Sequence, residues 1–409
     1  MSYVHKEQCR ICKNTDLTRV LSLGDHPPVD NFLSKEQIKD ENRYPLDVYF
    51  CGECSLAQLL DVVDEEELFH GDYAYFSSAS KPLVDHFRSY ADDLKNDNLD
   101  EGDLIVDIGS NDGVLLQFFK DTYRVLGVEP SSNVADVARE KGVDTVDGFF
   151  TIEMAKDIVA KHGKAKVITA NNVFAHIDNI DEIVEAVKVL LADDGVFVSE
   201  SHYLLDLVSK REFDTVYHEH LCYYSVKPLI HFFKRFDMEV SDVRRVSMHG
   251  GSIRVYARLA TNEPLHENVQ ELLALEEKAG LHDLSGFDSF QKDVDAIREK
   301  LTGLVRGFRK DGKAVSAYGA PAKGNTLLNF CGFTPDDIVY ITDTTPYKIG
   351  LLAPGSHIPV VSPDILENET PDYVLLLAWN YRDFILEKEK ALRDRGAKFI
   401  IPVPNVEIV

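Results

Sequence analysis

No apolar run in this chain approaches the ~20 residues that a membrane-spanning helix requires. The first residues, "MSYVHKEQCRICKN", lack the apolar core of a signal peptide. Neither a membrane protein nor an exported one is expected, and the reading is a cytoplasmic one. Low-complexity tracts are missing as well. With 44% hydrophobic, 28% charged and 10% aromatic residues, the composition is that of a soluble globular protein rather than a disordered one. Positive charge is scarce: 44 Lys and Arg against 69 Asp and Glu leave a formal net charge of −25, with no basic stripe to offset it. Such a surface repels a phosphate backbone, which argues against nucleic acid as a partner. An anionic small molecule would have to be held by a few placed groups, such as a helix N-terminus or one lysine.

Cysteine is sparse too, six among 409 residues, yet four of the six fall as "CRIC" (Cys9, Cys12) and "CGEC" (Cys51, Cys54). Two C-x-x-C knuckles can point four thiolates at one tetrahedral ion, so these residues are the expected ligands of a zinc ion. A closed four-sulfur site has no open position for water, which makes the zinc structural. Disulfides or unrelated thiols are the competing reading, and a reducing compartment disfavours the former. Cys222 and Cys331 are left unpaired. Between the knuckles lie a compact insert, "LGDHPPVDNFL", and a strand-like "YPLDVYFC".

A chain of this length exceeds one ordinary core. Four segments are expected: a zinc-binding module over 1–70, a Rossmann-like α/β domain over 71–262, a helical connector over 263–312 and a smaller Rossmann-like α/β domain over 313–409. In the second segment the buried run "DLIVDIG" leads through a polar loop to Gly113, which is expected to open a helix. The loop reads D-x-G-x-x-x-G, Asp107 to Gly113 with Asn111 inside it, the form typical of S-adenosylmethionine enzymes. The dinucleotide pattern G-x-G-x-x-G is absent. Glu129 ends the next strand, where a carboxylate can accept hydrogen bonds from ribose hydroxyls. Strands and helices then alternate as in a parallel sheet. Gly109, Glu129, Gly148, Phe149, Asn171, Asn172, His176 and the stretch from Glu200 to Tyr203 share the carboxyl edge where ligands of such sheets bind. "EVSDVRRVSMHGGSIRVYARL" reads as two antiparallel strands closing that sheet. In the last segment the glycine loop Gly319 to Gly324 and Lys323, followed by Asn325, could seat a diphosphate. Asp343 ends the second strand, where a nucleoside could be read.

The stretch "FDTVYHEHLCYYS" sets His218 and His220 around Glu219. A metal set, an acid/base centre and a solvated loop are all open readings, although three consecutive residues rarely converge on one ion.

Taken in order, "CRIC", "CGEC", "DYAYFSS", "VDIGSNDG", "GVEPSSNVA", "ANNVFAHI", "FDTVYHEH", "MHGGSIRVY", "YGAPAKGNTLLNFCG", "TDTTPYKIG", "GSHIPV" and "LLLAWNY" resemble the sugar-nucleotide C-methyltransferases. Members of that family include the C-3 methyltransferases of dTDP-4-keto-deoxysugars. The resemblance covers nearly the whole chain. It implies a zinc module, an S-adenosylmethionine domain and a second Rossmann-like domain. It also implies a dTDP-linked nucleotide-sugar substrate, with Tyr73, His176, Tyr217, Glu219 and His220 around the sugar and His220 as the base. His218 falls at a variable place in the pattern, so it is expected to tolerate change. An O-methyltransferase on the same class of sugar, or a dinucleotide-dependent oxidoreductase, are the alternatives.

Overall fold

The computed structural model describes residues 3–68, 76–96, 99–261 and 264–409. Tyr73 lies outside them. The N-terminal unit is a four-stranded antiparallel sheet. Strand Tyr44–Cys51 sits between Leu17–His26 and Ala57–Leu59, and Cys222–Tyr223 is added at the edge. Along Tyr44–Cys51 buried and half-buried residues alternate, the period-2 pattern of a strand with one face on a core. A short ladder, Tyr3–His5 on Asp61–Val63, ties the chain start to the end of this unit.

The central sheet has seven strands. Leu104–Ile108 is flanked by Arg124–Glu129 and then Thr145–Asp147 on one side. On the other side lie Ala165–Asn171, Leu191–His202, Ser252–Leu259 and, at the edge, Met238–Val246. The first five of these strands are parallel. The expected closing hairpin is antiparallel, with Ser252–Leu259 inserted between Leu191–His202 and the edge strand. The chain leaves Leu104–Ile108 in one direction and returns on its far side at Ala165–Asn171. This reversal opens a crevice at the carboxyl ends of the two strands. One face of the sheet is covered by helix Lys81–Asn96, through Leu83, Phe87, Tyr90 and Leu94. The other packs into a continuous apolar cluster that runs through the four-, seven- and six-stranded sheets.

After Gly109 the expected helix does not form. Residues 113–122 are turns around a short 3-10 segment, Leu116–Phe118. Val114, Leu115, Leu116 and Phe119 are buried while Lys120, Asp121 and Thr122 are exposed, and α-spaced amide bonds (Gln117 to Gly113, Lys120 to Leu116) are mixed with tighter ones (Phe118 to Leu115, Phe119 to Leu116), so no regular helix runs through the segment. Gly113, at φ 75°, lies where a Cβ would be 3.0 Å from a methyl of Val143, which makes it a packing glycine.

Helices Glu267–Lys278 and Phe290–Lys310 connect to the last unit, with the break around Gly280 and Gly286. Glu276 is fully buried and fastens the first of them. Its carboxylate accepts the Tyr203 hydroxyl at 2.9 Å and the backbone N–H of Val226 at 2.6 Å. The last sheet places Val315–Tyr318 between Ile341–Thr342 and Tyr373–Leu376, so it has a reversal of its own, with Gly319 on one side and Ala378–Trp379 on the other.

The insert between the knuckles spans the units. Val29 accepts a 2.7 Å hydrogen bond from Asn325, and Leu33 exchanges backbone bonds with Leu352. Glu41 binds the Gly355 N–H at 2.6 Å and His357 at 2.9 Å. The N-terminal unit is thus fastened to the central unit by the Cys222–Tyr223 strand and to the C-terminal unit by this insert.

Candidate functional site

The two knuckles have the same backbone. In each, the amide after the second cysteine (Lys13, Ser55) donates to the carbonyl of the first (Cys9, Cys51) at 3.0 and 2.9 Å, and has positive φ, 62° and 66°. Each first cysteine donates its own N–H five residues on, to Asn14 and Leu56, at 2.9 Å. This repeat aims four sulfurs at one point, all within 4.8 Å of one another, with nearest approaches of 3.4 and 3.5 Å. A tetrahedral ion with Zn–S near ~2.3 Å holds its sulfurs just under ~4 Å apart, so four free thiols so arranged fit zinc. Among the described residues this is the one group of three or more Cys, His, Asp or Glu ligand atoms that converges so closely. The metal reading of His218, Glu219 and His220 has no such geometry behind it.

At the crevice of the central sheet, Gly109 has φ 65° and a Cβ there would lie 2.4 Å from Val173, so only glycine lets the chain pass. Asn111, also with positive φ, donates its N–H to Glu129 at 2.9 Å, and Ser131 donates to the other Glu129 oxygen at 3.0 Å. Burial raises the Glu129 carboxyl above its usual range. Asp107, also buried, accepts from Thr169 at 2.6 Å and Asn171 at 3.3 Å, and burial pushes its carboxyl up to about 7. Gly148, at φ 136°, donates to the Glu129 carbonyl, and Phe149 beside it is 67% exposed. The buried Oδ1 atoms of Asn171 and Asn172 have no hydrogen-bond partner. Unpaired acceptors, a glycine passage and an exposed aromatic on one edge suit a polar ligand with an apolar ring, and they fit S-adenosylmethionine.

A turn at His218–Glu219, closed by His220 N–H to the Tyr217 carbonyl at 2.9 Å, separates the two histidines. His220 joins a pocket of imidazoles. Its ring centre is 4.9 Å from those of His176 and His202 and 3.9 Å from Tyr217, and His249 lies 5.6 Å beyond His202. Its Nδ1 lies 2.8 Å from the Thr215 carbonyl. A carbonyl only accepts, so the proton is on Nδ1 and Nε2 carries a bare lone pair. Burial, then His202 and His176, hold His220 well below the usual imidazole range. Burial holds His176 and His249 at about 4. The pocket is therefore neutral at physiological pH.

His218 has the opposite tautomer and a different task. It is 1% exposed, and its Nε2–H lies 3.3 and 3.2 Å from the Tyr44 and Pro45 carbonyls of the N-terminal sheet. The expectation of a freely variable position does not hold. Glu219 is buried, and burial followed by Asp30 raises its carboxyl well above the usual range while Lys348 opposes them. Glu219 and His176 line one cavity of about 40 Å³ with Val62, Val63 and Leu68.

On the C-terminal unit Lys323 does not extend to solvent. Its Nζ lies 3.8 Å over the Trp379 indole without a hydrogen-bond partner, and burial lowers it to about 8 against the pull of Asp214 and Glu212. Asn325 is committed to Val29. Asp343 is committed to the loop it follows, accepting from Ala320 at 2.6 Å and Thr345 at 2.8 Å. Gly319 has φ 81°, close against Ala378.

Sequence profiles described as "Putative zinc binding domain", "Methyltransferase domain" and "C-methyltransferase C-terminal domain" match residues 9–69, 84–243 and 247–404. The C-methyltransferase NovU of Streptomyces niveus is 38% identical over 98% of this chain and 97% of its own. The chain belongs to the C-methyltransferase family. Among solved structures, the magnesium protoporphyrin IX methyltransferase of Synechocystis with bound SAH is 15% identical and matches 47% of this chain and 91% of its own, at a TM-score of 0.35. A SAM-dependent methyltransferase of Anabaena variabilis matches 42% and 84% at 0.34, with 15% identity. S-adenosylmethionine is the methyl donor of this C-methyltransferase, and zinc is its metal.

At the pocket of this C-methyltransferase, His249, Glu212 and Asp214 were given no role from sequence, and His202 only a place on the ligand-binding edge. His202 ends a strand and His249 sits in the "MHGG" turn at φ 58°. Gly250 and Gly251 of that turn press so closely on Glu212 and Asp206 that a Cβ would lie 2.6 and 2.3 Å from their carboxylates. For His249 the glycine pair that follows it was the available signal. Glu212 and Asp214 carried none.

Proposed function

We propose that this enzyme methylates the carbon alpha to the ketone of a nucleotide-linked 4-keto-deoxysugar, C3 in this reading, and that the nucleotide is dTDP. S-adenosylmethionine, when bound, supplies an electrophilic methyl group, and a sugar C–H has no lone pair to receive it. The adjacent ketone makes that proton acidic. His220 Nε2 takes it, the C–H electron pair moves into the enolate, and the methyl forms the new carbon–carbon bond while S-adenosylhomocysteine departs. The imidazolium left on His220 then loses its proton to water.

The observation that carries this reading is the 2.8 Å bond from His220 Nδ1–H to the Thr215 carbonyl, which leaves the lone pair on Nε2 of a buried ring among neutral rings. Tyr217 and His176 adjoin the same ring and suit the enolate oxygen or the neighbouring sugar hydroxyls; Tyr73 and Glu219 complete the proposed sugar site. Lys323 is the one buried lysine amine among the described residues without a hydrogen bond, so it is available to an anionic substrate group, with Gly319, Asn325 and Asp343 framing its loop. In the cofactor site Asp107, Gly109, Asn111, Gly113, Glu129, Gly148, Phe149, Asn171 and Asn172 are the proposed contacts.

Product NMR after turnover with a dTDP-4-keto-deoxysugar tests the reading. A C–CH3 singlet on a quaternary carbon supports it, whereas a methoxy signal replaces it with O-methylation. Incubation in D2O with S-adenosylhomocysteine should exchange the alpha proton in wild type and not in His220→Asn. Exchange at the wild-type rate in that variant assigns the base elsewhere.

A further inference from the structure

The carbonyl that orients His220 belongs to a turn which the C-terminal unit holds from both sides. Thr215 lies in the 3-10 segment Phe213–Thr215, buried throughout. On its N-terminal side the Asp214 Oδ2 accepts the Trp379 indole N–H at 2.6 Å. On its C-terminal side the Val216 carbonyl accepts the Thr326 hydroxyl at 3.1 Å. Phe213 packs its ring 5.2 Å from that of Phe330, on the same helix, Ala322–Cys331, as Thr326. The peptide plane that carries the Thr215 carbonyl also carries the Val216 N–H, which is pinned to the Phe213 carbonyl at 3.0 Å. Shifting either neighbour tilts that plane.

We propose that Trp379 and Thr326 are positioning residues for His220. They fix the turn whose Thr215 carbonyl keeps the imidazole proton on Nδ1 and the lone pair on Nε2. The inference rests on the reading of His220 as the base. Asp214 is fully buried and its other oxygen, Oδ1, has no hydrogen bond. Loss of the indole N–H would remove the side-chain donor to a buried carboxylate, and the turn must shift for Asp214 to find another, such as the unpaired Lys323 amine that attracts it. Neither Trp379 nor Thr326 is among the rings that surround His220. Their action is through the backbone.

The test uses the full-length holoenzyme with Trp379→Phe, which keeps the ring under Lys323 and deletes the donor, and Thr326→Val, which keeps the shape and deletes the hydroxyl. Histidine 15N shifts report which ring nitrogen is protonated, with His220 assigned by difference from His220→Asn. The expected result is loss of the His220 Nδ1–H signature in each variant, together with a roughly ten- to hundredfold fall in kcat with S-adenosylmethionine and a dTDP-4-keto-deoxysugar. Affinity for S-adenosylhomocysteine should stay at the wild-type value. A wild-type tautomer signature and kcat in both variants, whatever happens to the melting temperature, overturns the proposal. The tautomer readout needs no turnover. A His220→Asn enzyme that retains its rate would therefore remove the base reading while the 15N data still decide the positioning.

Discussion

Replacing His218 by Gln should produce a stability deficit that shrinks on acidification. At about pH 7.5 the variant loses the paired contacts of Nε2–H with the Tyr44 and Pro45 carbonyls, together worth about 1 kcal/mol. It also loses the edge-on ring contact with Tyr44, worth about 1 kcal/mol more. Burial lowers the His218 imidazole from 6.5 to about 4. The unfolded chain therefore binds a proton below pH 6.5 that the fold refuses until about pH 4. In that window the wild type loses stability as pH falls, and at about pH 5.5 the loss from this one group is about 1.4 kcal/mol. Glutamine has no such proton. The gap of about 2 kcal/mol should thus close to below about 1 kcal/mol between those two conditions. Urea unfolding of both proteins at each pH, with zinc retained, measures it. A gap that is constant or wider at the lower pH would show that the fold takes up the His218 proton as readily as the unfolded chain does, and the reading of a neutral buried imidazole would be wrong.

Gly109→Ala would put a methyl 2.4 Å from Val173 at a φ of 65°, so the loop must shift: S-adenosylhomocysteine affinity measured by calorimetry should drop by at least about tenfold, and the melting temperature should fall with it. Cys51→Ser should reduce bound zinc below one equivalent and, because the N-terminal sheet pairs with Cys222–Tyr223, should lower the melting temperature of the whole enzyme. A purely local loss, visible by proteolysis of residues 1–70 alone, would count against that coupling. The acid limb of kcat/KM should fall below pH 6.5, since His220 is held well under the ordinary imidazole range and stays an unprotonated base there. An acid limb above pH 6.5 would mean that the titrating group is some other residue.

The parallel sheet and the four sulfurs could be read from the chain because each rests on local pattern. Apolar runs such as Leu104–Ile108 recur between helical stretches, and C-x-x-C fixes its own knuckle within a few residues. The helix expected from Gly113 gives way to turns in which α-spaced and tighter amide bonds mix, a backbone choice that no local pattern displays. The histidine pocket was half legible. His176 and His220 are marked by their neighbours, whereas His202 and His249 approach it through strand register and a left-handed turn. The group that orients the His220 imidazole is the Thr215 carbonyl, a backbone atom with no identity in sequence. His218 stood beside His220 in the chain, yet the turn between them sends one to the N-terminal sheet and the other to the pocket. For Lys323 the sequence marked a basic residue in an acidic protein, but only packing brings it under Trp379 and beside Asp214.

The contacts of the knuckle insert limit how such enzymes can be recombined. A chimera that exchanges the C-terminal unit at the connector would keep Val29, Leu33 and Glu41 from one parent and take Asn325, Leu352, Gly355 and His357 from the other. The graft inherits a mismatched seam far along the chain from its own junction, whose side-chain bonds join residues 296 to 316 positions apart. Residues 27–43 therefore travel with the last unit as one cassette, although they stand at the opposite end of the gene product.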